Sequence, residues 1–316
     1  MKKPISILLI LMIFICTLSG CAVSQNANSG KLSVVATVFC EYDWLMNILG
    51  DNTESTDVTL LLNNGVDMHS YQPTADDIIK ISKCDIFIYV GGESDKWVDD
   101  ALKNATNKNM TVINLLDILG DSAKKEEPVE GMEKSAEDEY DEHVWLSLKN
   151  TIIFVDAIRD ALIKANPQNT DNYTKNAEAY KDKLKALDGE YKATVDNSSV
   201  KTLLFGDRFP FRYLTDDYGI TYYAAFSGCS AESDASFETV KFLAEKLTEL
   251  NLPAVLIIDG SDGKIADAII KASVKKDTPV LSMNSMQATT FDDIKNGTSY
   301  LSIMKDNLDI LKTALK

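Results

Sequence analysis

The feature that most constrains this chain is a repeated change of hydrophobic period. Leu32 to Phe39, LSVVATVF, is an almost unbroken β-branched apolar run, and Glu41 to Leu49 then places Trp44, Leu45, Ile48 and Leu49 at helical spacing. A short, nearly continuous apolar run reads as a buried strand, and a 3.6-residue period reads as a helix with one buried face. The rhythm repeats. Val58 to Leu62, Asp85 to Val90 and Thr111 to Asn114 read as further strands. Pro73 to Ser82 reads as a helix, with Thr74 as N-cap and Asp76 and Asp77 in the first turn, where carboxylates favour the helix dipole. Strands separated by helix-sized segments imply βαβ units and a parallel sheet covered on both faces.

Gly120 to Glu142 interrupts the rhythm. It is dominated by Asp and Glu, has few large apolar residues and contains Pro128 and Gly131, so a solvated, disordered surface loop is expected. Leu146 to Ala165 then reads as a helix that stops at Pro167, and Asn169 to Val195 as a longer one. At 1.5 Å per residue the longer helix would span roughly 40 Å, enough to link two lobes. In the second half, Thr202 to Phe205, Thr221 to Ala225, Ala254 to Asp259 and Pro279 to Met283 read as strands. Helices fit at Phe211 to Tyr218, Phe237 to Leu250, Lys264 to Lys275 and Ser299 to Leu315. The expected fold is α/β: two small parallel-sheet lobes, 32–168 and 197–316, joined by a linking helix over 169–196.

The first residues read as an export signal. Lys2 and Lys3 precede an apolar run from Ile7 to Leu18, shorter than the roughly 20 residues a spanning helix needs. The run ends in Leu18-Ser19-Gly20-Cys21, which resembles a bacterial lipobox. That resemblance implies cleavage after residue 20 and a diacylglyceryl group on Cys21. Two acyl chains anchor a protein stably. Residues 21–31 are small and polar and suit a flexible leash. The net charge of −16 argues against nucleic acid as a partner, because phosphate binding needs a basic surface. Cys40, Cys84 and Cys229 remain in the mature chain without a CxxC pair, so a thiolate zinc cluster is not expected. The three read best as small buried residues, with at most one disulfide among them.

The chain has two histidines, His69 and His143, both in loop or helix-start positions outside any apolar helical stripe. Such positions suit the carboxyl edge of a parallel sheet, where open α/β sheets bind ligands. Around them the sequence resembles the metal-binding (zinc or manganese) lipoproteins of ABC importers, the cluster A-I substrate-binding proteins. Gly65-Val66-Asp67-Met68-His69-Ser70-Tyr71-Gln72-Pro73 is similar to the family's G-x-(D/E)-P-H-x-Y-x-P segment. Asp141-Glu142-His143-Val144-Trp145-Leu146 is similar to D-P-H-x-W-L. Met68 and Glu142 stand where prolines are usual. Ala36-Thr37-Val38-Phe39, the Asp85 to Gly92 segment and Gly297-Thr298-Ser299-Tyr300 match further landmarks, so the resemblance covers essentially the whole mature chain. It implies that His69 and His143 are metal ligands in a cleft between the lobes. The acidic loop lies where zinc-specific members often carry a histidine-rich one.

The second lobe departs from that pattern. Where the family presents a third histidine or a glutamate in H-x-A-F-x-Y, this chain has Phe205-Gly206-Asp207-Arg208-Phe209-Pro210-Phe211-Arg212-Tyr213. Asp207 is the expected third ligand; its alternatives are an ion pair with Arg208 or Arg212, or a cap on the following helix. The fourth-ligand region reads Asn284-Ser285-Met286-Gln287, leaving Gln287 or Asn284 as carbonyl donors and Glu232 and Asp259 as carboxylate candidates. Two imidazoles with carboxylates suit Zn2+, and carboxylate-rich sites also suit Mn2+. Zn2+ is the expected cargo on the resemblance, with Mn2+ or Fe2+ as the alternatives. The expected partners are an ABC permease and the membrane, through lipidated Cys21, with the chain itself a monomer outside the cytoplasm. An enzyme is not expected, because neither H-E-x-x-H nor G-x-S-x-G occurs.

Overall fold

The computed structural model describes residues 30–132, 139–230 and 234–316. The signal and lipobox readings, Cys21 and Glu232 lie outside them. Among the described residues, eight strands form two four-stranded sheets. The first contains β1 (Leu32–Ala36), β2 (Thr56–Leu60), β3 (Ile86–Tyr89) and β4 (Thr111–Asn114), in the order β2-β1-β3-β4. The second contains β5 (Thr202–Phe209), β6 (Thr221–Ser227), β7 (Val255–Ile258) and β8 (Val280–Met283), in the order β6-β5-β7-β8. All neighbours are parallel, with Ala36 opposite both Leu60 and Ile88 in the first sheet. The two lobes therefore share one topology. Each reverses strand order beside its first strand, and loops at the carboxyl ends there frame a ligand crevice.

Local chemistry accounts for the element boundaries. The run at Leu32 ends as a strand at Ala36, three residues before the continuous apolar run ends, because the next helix starts at Phe39. The buried Glu41 carboxylate reaches back to accept the backbone N–H groups of Thr37 (2.8 Å) and Val38 (3.2 Å). The Thr37 N–H is shared with the Ile88 carbonyl at 3.1 Å, whereas the Val38 N–H would otherwise be orphaned at the helix start. Thr74 caps the helix Ala75–Lys83, accepting from the Asp77 backbone while the Asp77 carboxylate accepts from Thr74, a reciprocal capping box. Trp97–Lys103, Leu115–Leu119 and Phe291–Lys295 are helices too short for a periodic pattern to show.

The long helix runs Thr170–Asp196 and links the lobes, packing on Phe39–Leu49 and on Leu148–Ala165. Leu32–Lys316 forms one compact unit, because the main core is continuous between the lobes. Trp44 of the first lobe stacks on Phe154 at 5.6 Å and meets the Tyr300 ring edge-on at 5.5 Å. Tyr300 opens the last helix, Tyr300–Ala314, and its hydroxyl donates to the Trp145 carbonyl. The last helix thus packs back on the first lobe. A second, smaller core lies between the second sheet and the helices Phe237–Glu249 and Lys264–Ala272. Among the described residues no helix is long and apolar enough to cross a membrane.

The described ends of the acidic loop are ordered, against the expectation of a wholly solvated segment. Lys125 and Tyr140 form an antiparallel bridge, flanked by Glu126 N–H to Glu139 O and Asp141 N–H to Lys124 O bonds. The second lobe holds this tie: Tyr213 Oη accepts the Lys124 N–H at 2.8 Å, and Arg212 donates to the Lys125 carbonyl and to Glu127. Asp141 and Glu142 are buried. Acidic composition alone marks a solvated loop, and here tertiary partners override it.

Candidate metal centre

The two histidines meet. His69 Nε2 and His143 Nε2 lie 3.2 Å apart, brought together by loops 74 residues apart in sequence. Asp67 sets the first: its carboxylate accepts the His69 backbone N–H at 3.0 Å and so starts the tight turn Met68–Ser70. The His69 Nδ1 then faces Ser94 Oγ at 2.8 Å and Glu142 Oε2 at 3.4 Å. Asp141 sets the second: one oxygen faces both the His143 backbone N–H and its ring Nδ1, each at 2.8 Å.

These partners assign the tautomers. Each Nδ1 has an acceptor and carries the proton, so each Nε2 presents a lone pair. Two lone pairs 3.2 Å apart with no proton between them repel, and a cation removes the repulsion. The separation also suits one edge of a tetrahedron around Zn2+ with Zn–N of about 2.0–2.1 Å. Burial pushes the His69 imidazole down to about 3 and His143 down to about 4, so both are neutral at pH 7 and ready to donate to a metal. The Asp141–His143 pair is the carboxylate–imidazole support that metal-binding histidines use.

Other loops complete the surroundings. After β8, Met286 adopts φ +64°, an uncommon conformation for a side chain of that size. The turn places the Gln287 amide nitrogen 2.9 Å from His143 Nε2. Gln287 Oε1 and the second Asp141 oxygen are buried without a hydrogen-bond partner, and Glu142 Oε2 has only its 3.4 Å approach to His69 Nδ1. After β6, Gly228 passes so close that a Cβ there would sit 2.9 Å from His143 Cε1 and 2.9 Å from the Phe209 carbonyl. The next residue, Cys229, has its sulfur within 4.8 Å of the His69 and His143 donor atoms. Glu126 of the acidic loop accepts the Cys229 N–H at 3.0 Å. Beside these residues a cleft of about 600 Å³ is lined by Asp67, His69, Ser70, Asp207 and Arg208.

The remaining sequence-derived candidates divide. Gln287 joins the histidines. Asp207 lines the cleft, in a strand that continues past Phe205 through an irregularity in its pairing with β6. Its carboxylate accepts the backbone N–H of Arg208 at 2.8 Å and of Ile258 at 3.3 Å. Asp259 accepts both the backbone N–H and the hydroxyl of Ser285. Asn284 accepts the Met286 N–H. Sequence reasoning missed Ser94, Glu126 and Cys229, which carry no spacing signal and enter only because three distant loops converge. It read Cys229 as a small buried residue; instead it is half-buried beside the histidines, and all three described cysteines are free thiols.

Comparison with known proteins agrees with this geometry. The family described as "Zinc-uptake complex component A periplasmic" matches residues 34–314. The chain is 28% identical over 324 residues to the zinc-binding protein AdcA of Streptococcus pyogenes, covering 99% of this chain and 61% of that protein. It thus spans about three fifths of the length of such curated relatives. It is 30% identical over 330 residues to the metal ABC transporter substrate-binding lipoprotein SsaB of Streptococcus sanguinis, covering 99% of each. Among solved structures, the Zn(II)-bound ZnuA-like domain of Streptococcus pneumoniae AdcA superposes with a TM-score of 0.72 at 28% identity, covering 90% of this chain and 99% of that one. The metal-dependent lipoprotein YcdH of Bacillus subtilis gives 0.74 at 28% identity, over 90% and 99%. The family model covers nearly all of the described chain, and this chain belongs to the zinc-uptake complex component A family.

Proposed function

We propose that this protein captures Zn2+ outside the cytoplasm and hands it to an ABC permease, tethered to the membrane through a lipidated Cys21. His69 and His143 supply imidazole nitrogens, and the Gln287 carbonyl oxygen can turn toward the same ion. The observation that carries the reading is the 3.2 Å approach of the His69 and His143 Nε2 atoms. The zinc uptake, zinc binding and metal transport of the relatives support the same reading. Capture needs no bond making, and the action is that of a binding component. The continuous core limits the lobes to a small tilt on loading and release. Mn2+ or Fe2+ as cargo would leave this mechanism intact.

Native mass spectrometry of the stripped chain, offered zinc, manganese and ferrous iron together, tests the reading. One tightly held zinc, lost in both His69→Ala and His143→Ala, is expected. Preferential manganese retention would change the cargo, and no specific metal would remove the function. Bound zinc also raises thermal stability by mass action, by about 2.7 kcal/mol at a hundredfold excess over Kd.

A further inference from the structure

The two imidazoles fill only half of a tetrahedral shell, and the donor that faces them from the second lobe is sulfur. Building on the capture reading above, we propose that Cys229 binds the ion as a thiolate, so that His69 Nε2, His143 Nε2 and Cys229 Sγ hold it together, with Gln287 Oε1 closing the shell. Three independent features meet at this point. The donor atoms of His69, His143 and Cys229 all lie within 4.8 Å of one another. Gly228, the residue before Cys229, lies against the His143 ring at a distance no side chain could occupy, which presses the end of β6 onto the site. Gln287 Oε1 is buried without a partner on an amide that already touches His143 Nε2.

The carboxylates near His143 occupy a different layer. Glu126, Asp141 and His143 also group within 4.8 Å, but Asp141 engages Nδ1, on the far side of the ring from Nε2. They sit behind the ligands. Glu126 accepts the backbone N–H of Cys229 at 3.0 Å, which sets its carboxylate beside that residue, placed to take the proton that binding displaces. On loading, the S–H bond breaks, an S–metal bond forms, and the proton passes to the Glu126 carboxylate and on to solvent.

A thiolate changes which ion the site prefers. Carboxylate and imidazole sites accept manganese, whereas a thiolate with two imidazoles selects the softer zinc. Tetrahedral Zn2+ accepts this mixed set, with Zn–S near 2.3 Å. Preference for zinc would then come from Cys229, where the sequence pattern pointed to the carboxylate of Asp207.

Cobalt(II), as a spectroscopic substitute for zinc, tests the assignment on the full chain. The wild type should show a near-ultraviolet sulfur-to-cobalt charge-transfer band at one ion per chain. Cys229→Ser should abolish the band, weaken zinc at least tenfold and narrow the preference for zinc over manganese; Cys84→Ser should leave all three unchanged. In the wild type, zinc should also protect Cys229 from alkylation, located by peptide mass mapping, which needs no variant to fold. Cobalt bound without the band, or Cys229 alkylated equally with and without zinc, would overturn the thiolate while leaving metal capture standing. A chain that binds neither ion would overturn both.

Discussion

Arg208 reaches across the cleft to donate from Nη2 to Asp67 Oδ2 at 2.8 Å, while the other oxygen of Asp67 holds the backbone N–H of His69. One carboxylate therefore ties the second lobe to the turn that aims a metal-facing histidine. Burial pushes the Asp67 carboxyl up, but the hydrogen bond and charge of Arg208 outweigh it and hold it below its usual range. The link couples lobe closure to the orientation of His69.

Removing that link should loosen the site without removing a ligand. Arg208→Met is expected to cost about 1 kcal/mol of stability, since the pair is only partly buried. It should also speed zinc loss to a chelator by roughly tenfold, in line with about 1.4 kcal/mol of closure energy. Stopped-flow chelation measures the rate. An unchanged rate would show that Asp67 positions His69 without help from the second lobe.

Asp141→Asn should act through the tautomer of His143. An amide at this position can donate to Nδ1, which moves the ring proton to Nε2 and blocks the lone pair. Losing such a support typically costs 10–100-fold in metal affinity. Zinc titration should show that loss while circular dichroism stays unchanged, and nuclear magnetic resonance of the imidazole nitrogens should report the tautomer.

Gly228→Ala should displace the His143 ring or the β6 end. The added methyl would meet His143 and the Phe209 backbone at 2.9 Å. Overpacking of this kind costs about 1–3 kcal/mol. Zinc affinity should fall although no donor atom is removed, and calorimetric titration alongside thermal melting separates the two effects.

Above about pH 6.5, where His69 and His143 are neutral in both folded and unfolded states, the metal-free protein should lose stability as pH rises. Burial pushes Glu41 up from 4.5 to about 8, and Asp95 from 3.8 to about 6. Between the ordinary and raised values the folded state binds more protons than the unfolded one, so stability falls with rising pH across about 4.5 to 8 for Glu41. Glu41→Gln should flatten this dependence and raise stability at pH 8 by about 1–3 kcal/mol, the cost of a buried polar group left imperfectly paired. Melting curves of stripped protein from pH 6.5 to 8.5 give the slope. A slope that Glu41→Gln leaves unchanged would place the Glu41 carboxyl in its ordinary range.

The alternation of strand and helix, the parallel sheets, the Thr74 cap and the long Thr170–Asp196 helix were all legible in the sequence, because each rests on period or on a residue's immediate neighbours. His69 and His143 stood out through their motifs and their absence from apolar stripes. What lay beyond the sequence was the company they keep. Gln287 reaches His143 only because Met286 turns the chain, and Cys229 reaches it only because Gly228 lets β6 approach. The acidic loop looked solvated because its composition is polar, yet Tyr213 and Arg212 order its ends. Asp207 is the expected ligand by position; β5 runs on past Phe205, and its carboxylate lines the cleft while accepting the backbone N–H groups of Arg208 and Ile258. Local chemistry determined the elements; which side chains meet around the histidines was decided by long-range convergence of loops, which no short-range pattern encodes.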